Sequence, residues 1–255
     1  MLPMPSADEL SPKLSLSPEL SSSPWRERFS ERGRIHIPDI LSTDSAARLF
    51  ECLDGQPTWN LVCQQNGKHL DLNDKLESAW SAEQLAQFTS GLHAQAQSGF
   101  QYLYRSIPIY DIYHQRMLPG NFLNTVFEFL NSPAFLDYLR DTLQMPDIGF
   151  ADAQATYFGS GNFLNRHDDQ ATGKRRLAGY VLNLTPRWDS NWGGALQFYD
   201  ESHNCVDTLL PSYNALNVFR VPQPHAVTYV PPFAAGKRLS ITGWLRAGTD
   251  PGGDA

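Results

Sequence analysis

Near Gly149 the chain changes period, and that change limits its fold more than any other feature. From there on, short apolar or alternating runs follow one another over 151–158, 177–184, 195–199, 204–210, 214–219, 225–230 and 238–245. Pairs such as Gly159-Ser160-Gly161, Asp189-Ser190-Asn191 and Gly193-Gly194 punctuate them. Short strands separated by tight glycine turns predict a sandwich or barrel, and this spacing suits a jelly roll. The stretch before Gly149 reads mainly as helix. Ser42-Thr43 precedes Ala46, Leu49, Phe50 and Leu53, Ser81 with Gln84 forms a capping box, and Ser132-Pro133 opens a run carrying Phe135, Leu136, Leu139 and Leu143. Gln65-Asn66-Gly67 between short apolar runs predicts a hairpin over 59–72. Phe122, Phe127, Phe129, Phe135 and Tyr138 are expected to pack as helix core. The predicted class is α+β: a double-stranded β-helix (jelly-roll) core over 149–247, braced by helices over 25–148, as one domain 25–247.

Both ends read as loose. Residues 1–24 hold seven serines and five prolines with no apolar period, so they are expected to form a disordered tail, and 248–255 a flexible C-terminus. Lys plus Arg number 20 against 27 Asp plus Glu, a net charge of −7, which argues against direct binding of nucleic acid or an anionic membrane. No apolar stretch approaches a membrane span, and no basic start leads into an apolar core. The three cysteines, Cys52, Cys63 and Cys205, contain no C-x-x-C, which predicts reduced thiols and a cytoplasmic setting.

Nucleophile-elbow, zinc-protease, P-loop and dinucleotide motifs are all missing. What remains is Asn165-Arg166-His167-Asp168-Asp169, after a predicted strand and a glycine turn. His167 and Asp169 are two apart, so at a strand end both would point to one side. His225 opens a later strand behind Pro222-Gln223-Pro224. Two imidazoles and one carboxylate on one face leave three positions open on an octahedral metal, which suits non-haem Fe(II). The competing reading is a turn-capping Asp beside a surface His. A second triplet, His69-Leu70-Asp71, lies outside the strand-rich half and is read as a bystander, as are His36, His93, His114 and His203. In Arg238-Leu239-Ser240-Ile241-Thr242-Gly243-Trp244, alternation turns Arg238, Ser240 and Thr242 inward, towards a co-substrate. An inward Arg in a small barrel is costly unless it meets an anion, either a dicarboxylate co-substrate or an internal Asp.

These stretches together resemble the iron(II)- and 2-oxoglutarate-dependent dioxygenases. The resemblance runs from Tyr157-Phe-Gly-Ser-Gly-Asn-Phe-Leu-Asn-Arg-His167-Asp-Asp169 through Leu182-Asn-Leu-Thr-Pro-Arg-Trp188, Gly193-Gly-Ala-Leu196 and His225 to Arg238-Leu-Ser-Ile-Thr-Gly-Trp244. It covers roughly ninety residues, in order, and is nearest to prolyl hydroxylases of ribosomal or translation proteins and their bacterial relatives. The resemblance implies Fe(II) on His167, Asp169 and His225, with 2-oxoglutarate and O2 as co-substrates and ascorbate as a reductant. It makes Arg238 the partner of the distal 2-oxoglutarate carboxylate and Tyr157 a co-substrate contact. Asn183 stands where relatives carry a second Tyr. Arg176 and Trp244 would lie on the substrate side. The expected activity is hydroxylation of a prolyl residue in a protein or peptide, releasing succinate and CO2. Two alternatives remain: a hydroxylase of a free amino acid or peptide natural product, and a jelly-roll binding or sensor module without turnover. With a protein substrate, the polar hairpin over 59–72 and the Lys174-Arg175-Arg176 loop would rim the mouth.

Overall fold

The computed structural model describes residues 13–252. The first half runs α1 (Ser23–Arg32), β1 (Arg34–Ile37), α2 (Thr43–Asp54), β2 (Asn60–Gln65), β3 (Lys68–Leu72), α3 (Asp74–Ser78), α4 (Ala82–Ala96), β4 (Tyr102–Ile107), α5 (Ile109–His114), α6 (Phe122–Leu130) and α7 (Pro133–Leu143). The second half runs β5 (Ile148–Ala151), β6 (Gln154–Phe158), β7 (Phe163–His167), β8 (Arg176–Asn183), β9 (Leu196–Tyr199), β10 (Cys205–Leu209), β11 (Ala215–Arg220), β12 (His225–Val227) and β13 (Arg238–Ala247). No helix among the described residues is long and apolar enough to cross a membrane.

The helices start where their caps predict. Ser42 accepts from the Ser45 amide, and Ser132 from that of Phe135 with Pro133 in the first turn. Ser81 and Gln84 satisfy each other's amides as a full capping box. Ala46, Leu49 and Leu53 of α2 and Phe135, Leu136, Leu139 and Leu143 of α7 are buried in one large core with Leu182, Leu216, Leu239 and Ile241 of the sheet. Phe127 and Phe129 of α6 join them, whereas Phe122 and Tyr138 pack at the edge. In the β2–β3 hairpin Asn66 and Gly67 both take positive φ (52° and 77°), which matches the strand twist.

The strands pair in the order β1-β11-β8-β13-β6-β4-β7-β12-β9-β10, antiparallel throughout, with β2 on β4, β3 on β2 and β5 on β13. Side chains from opposite ends of this path, Val181 and Phe219 at one end and Leu196 and Val227 at the other, line a single cavity. The sheet therefore wraps back on itself as a jelly roll, with the helices packed on its outer face.

Three expectations need correction. The segment read as helical support contributes four strands, and β4 lies inside the barrel between β6 and β7. Its partners β2, β6 and β7 lie about forty to sixty residues away along the chain, beyond the reach of any local pattern. The run 151–158 is two strands. It breaks at Asp152-Ala153, where the Asp152 carbonyl accepts from the Tyr180 hydroxyl and its carboxylate from the Trp244 amide. The expected N-terminal tail is tied down from Lys13 onward: Leu14 is buried, Leu16 bridges Leu41, and Ser15 donates its amide to the Ser45 hydroxyl. Alternate burial of Leu14 and Leu16 is a strand-like pattern that the serine-rich composition hides. Residues 1–12 of that tail, and 253–255 of the C-terminus, lie outside the described residues. Up to Gly252 the C-terminal stretch is also anchored, through Asp250 to the Tyr110 hydroxyl and His114.

Candidate metal and co-substrate site

A cavity of about 720 Å³ opens between the two faces of the barrel. His167 ends β7 and His225 begins β12, and the two are direct cross-strand neighbours with ring centroids 4.1 Å apart. Asp169 stands beside them for a different reason from the one expected. It lies beyond the end of β7 in the left-handed region (φ 64°), so the period-two rule does not apply. The turn swings its carboxylate back, placing Oδ1 3.3 Å from His167 Nε2 and Oδ2 3.4 Å from His225 Nε2. Among the described residues these three form the one group of His, Cys, Asp or Glu with metal-ligand spacing.

The hydrogen bonds behind the rings fix what the ring nitrogens can do. Nδ1 of His167 lies 2.9 Å from the Asn165 carbonyl and Nδ1 of His225 lies 2.8 Å from that of Gln223. A carbonyl can only accept, so each Nδ1 carries a proton, and in the neutral form of each ring, the form that binds a metal, the Nε2 lone pair points towards Asp169. Burial holds the His225 imidazolium off, bringing its pKa down to about 4, and the neighbouring His167 acts in the same direction. Burial would raise the Asp169 carboxyl, but the His167 hydrogen bond and the charges of His225 and His167 outweigh it and keep the group below the usual carboxylate range. Lone pairs crowded at this spacing need a cation to share. Neighbouring ligands at right angles on bonds of about 2.1 Å sit about 3 Å apart, close to these separations. Two neutral imidazoles and a carboxylate, with no fourth ligand, fit Fe(II) with open positions better than a closed structural zinc site.

At the inner end, Arg238 is 2% exposed, and its Nε has no hydrogen-bond partner. Its guanidinium lies over the Phe158 ring at 4.9 Å, and among the described residues no carboxylate pairs with it. Desolvation alone pulls its pKa down to about 10. Such a buried, unmatched cation facing a cavity is a seat for an anion. Among the described residues Arg238 has no internal Asp partner. Leu239 and Ile241 pack against the helices while Arg238, Thr242 and Trp244 line the cavity, so the alternation along β13 has the expected phase. Both 2-oxoglutarate and its carboxylate seat are thus compatible with the residues present.

The remaining expected contacts divide. Trp244 and Arg176 line the cavity, with the Arg176 guanidinium stacked 3.4 Å over the Trp244 ring and donating to the Asp169 carbonyl. Tyr157 does not line it. On β6 it is Gln154, Thr156 and Phe158 that face inward, and Tyr157 points outward onto the helical core and the Trp59 ring. The break at Asp152-Ala153 sets the phase of β6, which the sequence leaves ambiguous. Asn183 and Ser240 are register partners, fully buried just behind the cavity wall. Ser240 bonds the hydroxyl of Thr156, which does line the cavity, and Asn183 donates to the Val181 and Ala215 carbonyls. Sequence reasoning missed Tyr102, Tyr104 and His69, all on the cavity wall. The one signal was the alternation Tyr102-Leu103-Tyr104, which puts two rings on the same face of a strand.

Glycine governs closure at two places. A Cβ on Gly243 would come within 2.0 Å of the Asp152 carbonyl oxygen, so β13 could not approach the β5–β6 junction with any side chain there. Gly193, at φ 60°, would place a Cβ 2.0 Å from the Tyr229 oxygen. This is how the long turn from His225 to Arg238 packs down without displacing either residue.

Residues 153–246 match the family model of the 2OG-Fe(II) oxygenase superfamily. A stretch of 86 residues, 31% of this chain, is 40% identical to the mouse (Mus musculus) prolyl 3-hydroxylase OGFOD1, and it spans only 15% of that protein's length. Among solved structures, a Trichoplax adhaerens prolyl hydroxylase in complex with a hypoxia inducible factor peptide fragment superposes with a TM-score of 0.56 at 16% identity, covering 89% of each chain. A Pseudomonas putida prolyl-4-hydroxylase superposes with a TM-score of 0.51 at 18% identity, over 89% of this chain and 100% of that one. Residues 153–246 of this chain thus match the 2OG-Fe(II) oxygenase superfamily model and are similar in sequence to a prolyl 3-hydroxylase.

Proposed function

We propose that this chain is an Fe(II)- and 2-oxoglutarate-dependent dioxygenase that hydroxylates a prolyl residue in a protein or peptide. The single observation that carries the dioxygenase reading is the shared cavity: three neutral-or-anionic ligands converge at one place in it, and a buried arginine without a partner waits at its inner end. A binding module without turnover would have no use for all three ligands together with that arginine, whose burial costs stability unless an anion arrives. The prolyl assignment rests on the curated relative and the superposed structures, whose named substrates lie in that class.

In this reading His167, Asp169 and His225 hold the iron, and their backbone-bonded Nδ1 atoms keep the rings from turning. Arg238 takes the distal carboxylate of 2-oxoglutarate through a charge-assisted contact strengthened by the dry surroundings. Phe158 packs against the guanidinium and leaves its hydrogen-bonding edge for the ligand. Thr156, held by Ser240, offers a hydroxyl on the same wall. Arg176 and Trp244 fix the Asp169 turn from the mouth side. Bound Fe(II) with 2-oxoglutarate and O2 supplies the oxidising power to insert one oxygen atom into a C–H bond, with succinate and CO2 leaving. The reading treats 25–148 and 149–247 as one catalytic unit. A cytoplasmic setting fits three cysteines that are all free.

The test is incubation with Fe(II), 2-oxoglutarate, O2 and ascorbate in the presence of candidate proteins, followed by peptide mass spectrometry. The proposal expects one added oxygen on a prolyl residue and an equal amount of succinate. Equal or faster oxidation of free proline would favour the amino-acid hydroxylase, and succinate formation absent under every condition would remove the dioxygenase reading.

A further inference from the structure

One wall of the cavity is a ladder of aromatic rings to which the mechanism above gives no task. Phe100, Tyr102 and Tyr104 lie on or just before β4 at alternate positions, so all three face inward. Their centroids step by 5.5 Å and 5.7 Å, and Tyr104 then stacks on Phe158 at 5.0 Å, the ring that carries Arg238. The ladder therefore runs from the co-substrate arginine to the mouth. Its top rung, Phe100, is 43% exposed and lies 5.4 Å from the His167 ring. The Tyr102 hydroxyl meets Nδ1 of His69, on β3, at 2.7 Å, and the His69 ring stacks on Tyr102. Pairing with β2, β6 and β7 holds β4 on both edges, so the wall is rigid.

A rigid, half-open apolar wall next to a metal ligand gains free energy when something apolar covers it. The occupant must also bring a C–H bond beside the metal group. We infer that Phe100 and Tyr102 form the substrate-side wall and that the reacting prolyl ring lies flat across them, with His69 as the positioning residue that steadies Tyr102. This inference rests on the proposed prolyl hydroxylation and names the residues that select its substrate. A prolyl ring suits the wall because it is compact, saturated and without an N–H, so its C–H bonds meet ring faces and no donor is stranded. The wall's hydroxyl at this depth is already engaged by His69, so a polar side chain would find no partner there.

The experiment loads the whole protein with Fe(II) and 2-oxoglutarate under nitrogen, so that no turnover occurs. It then measures binding of a pool of fluorescein-labelled peptides, each with one central proline and randomised flanks. The expected results are that the best binder loses affinity about tenfold when its proline becomes alanine, and about tenfold again with Phe100→Ala or Tyr102→Leu in the protein. Tyr102→Phe, which keeps the ring but loses the bond to His69, should fall between wild type and Tyr102→Leu. The 2-oxoglutarate titration of each variant, read from the visible absorption of the iron complex, should match the wild type. Unchanged peptide affinity in both Phe100→Ala and Tyr102→Leu would overturn the inference. So would a fall of peptide and 2-oxoglutarate affinity in step, because the rings would then be propping His167 alone. A wild-type protein that takes 2-oxoglutarate yet holds none of the peptides would also overturn it. Absence of the iron–2-oxoglutarate absorption in the wild type would instead remove the dioxygenase reading, and this inference with it.

Discussion

The inner end of the cavity and its mouth are built from different material. At the inner end the chemistry sits on the middles of paired strands: Arg238 faces Phe158 and Ser240 faces Thr156 in the β13–β6 register, and all four are buried. At the mouth it sits on turns. His69 follows the Asn66-Gly67 turn, and Asp168, Gln170 and Lys174 occupy the connection between β7 and β8, all exposed. A strand interior fixes a side chain through ladder bonds on both edges and through packing, so it suits a co-substrate that never varies. Turns can change without disturbing the core, and so suit the selection of a partner. Asp169 straddles the two regimes. It is a proposed ligand carried on a turn, and it is held by Arg176 and by the two histidines.

The comparison is broken most severely at the boundary. Asp169→Ala or His225→Ala should abolish succinate release while the far-ultraviolet circular dichroism of the metal-free protein shows the fold retained. Residual turnover at the wild-type rate in either variant would remove the iron assignment.

Arg238→Met tests the inner end. It should weaken 2-oxoglutarate binding by about 2–5 kcal/mol, seen as a raised KM, because the carboxylate loses its charged partner in a closed site. The same variant should be at least as stable as wild type without ligand, because no partner is left stranded. A large loss of stability with unchanged KM would mark Arg238 as a structural residue.

A pH titration of the metal-free protein separates the two ends further. His225 is depressed to about 4 in the fold, so its contribution is present above its unfolded value near 6.5 and is lost as the pH falls towards 4. Asp152, between the mouth and β13, is raised to about 6 by burial, against which its bond to the Trp244 amide and the charges of Arg246 and Arg176 only partly act. Its contribution has the opposite sign: present below about 3.8 and lost as the pH rises through 6. Each spans roughly two units, about 3 kcal/mol, so between pH 4 and 6 they nearly cancel. The window of Asp169 lies below that range. Asp152→Asn should therefore unmask a loss of stability on acidification from pH 6.5 to 4 that the wild type does not show. Identical profiles for the two proteins in chemical denaturation would contradict this.

The smallest effect belongs to the mouth. Gly67→Ala meets no neighbour but must hold φ 77°, at a cost of about 1 kcal/mol to the hairpin. It should raise the KM for a peptide substrate a few-fold and leave the KM for 2-oxoglutarate alone. A shift in both would show that the hairpin supports the inner end as well.

The same division explains what could be read from the sequence. His167, His225 and Arg238 were legible because each is tied to a strand whose alternation or edge is a local pattern. Asp169 was legible as a residue type, although a left-handed turn and not strand phase delivers it. Tyr157 was misplaced because the phase of β6 is set by a break at Asp152-Ala153 that depends on contacts with Tyr180 and Trp244. Phe100, Tyr102 and His69 were illegible because β4 becomes a barrel strand only through β6 and β7, far along the chain. The serine-rich stretch from Lys13 looked loose because its anchors are two leucines and backbone bonds to Ile40 and Ser45, not a periodic face.

The central claim is that one cavity seats Fe(II) on His167, Asp169 and His225 and a dicarboxylate on Arg238. Anaerobic titration of the Fe(II)-loaded protein with 2-oxoglutarate, followed by visible absorption, tests it most directly. The account predicts a saturable band in the wild type, no band in Asp169→Ala, and in Arg238→Met the same band at a much higher 2-oxoglutarate concentration. A wild type without the band, or an Asp169→Ala protein that keeps it, would contradict the account.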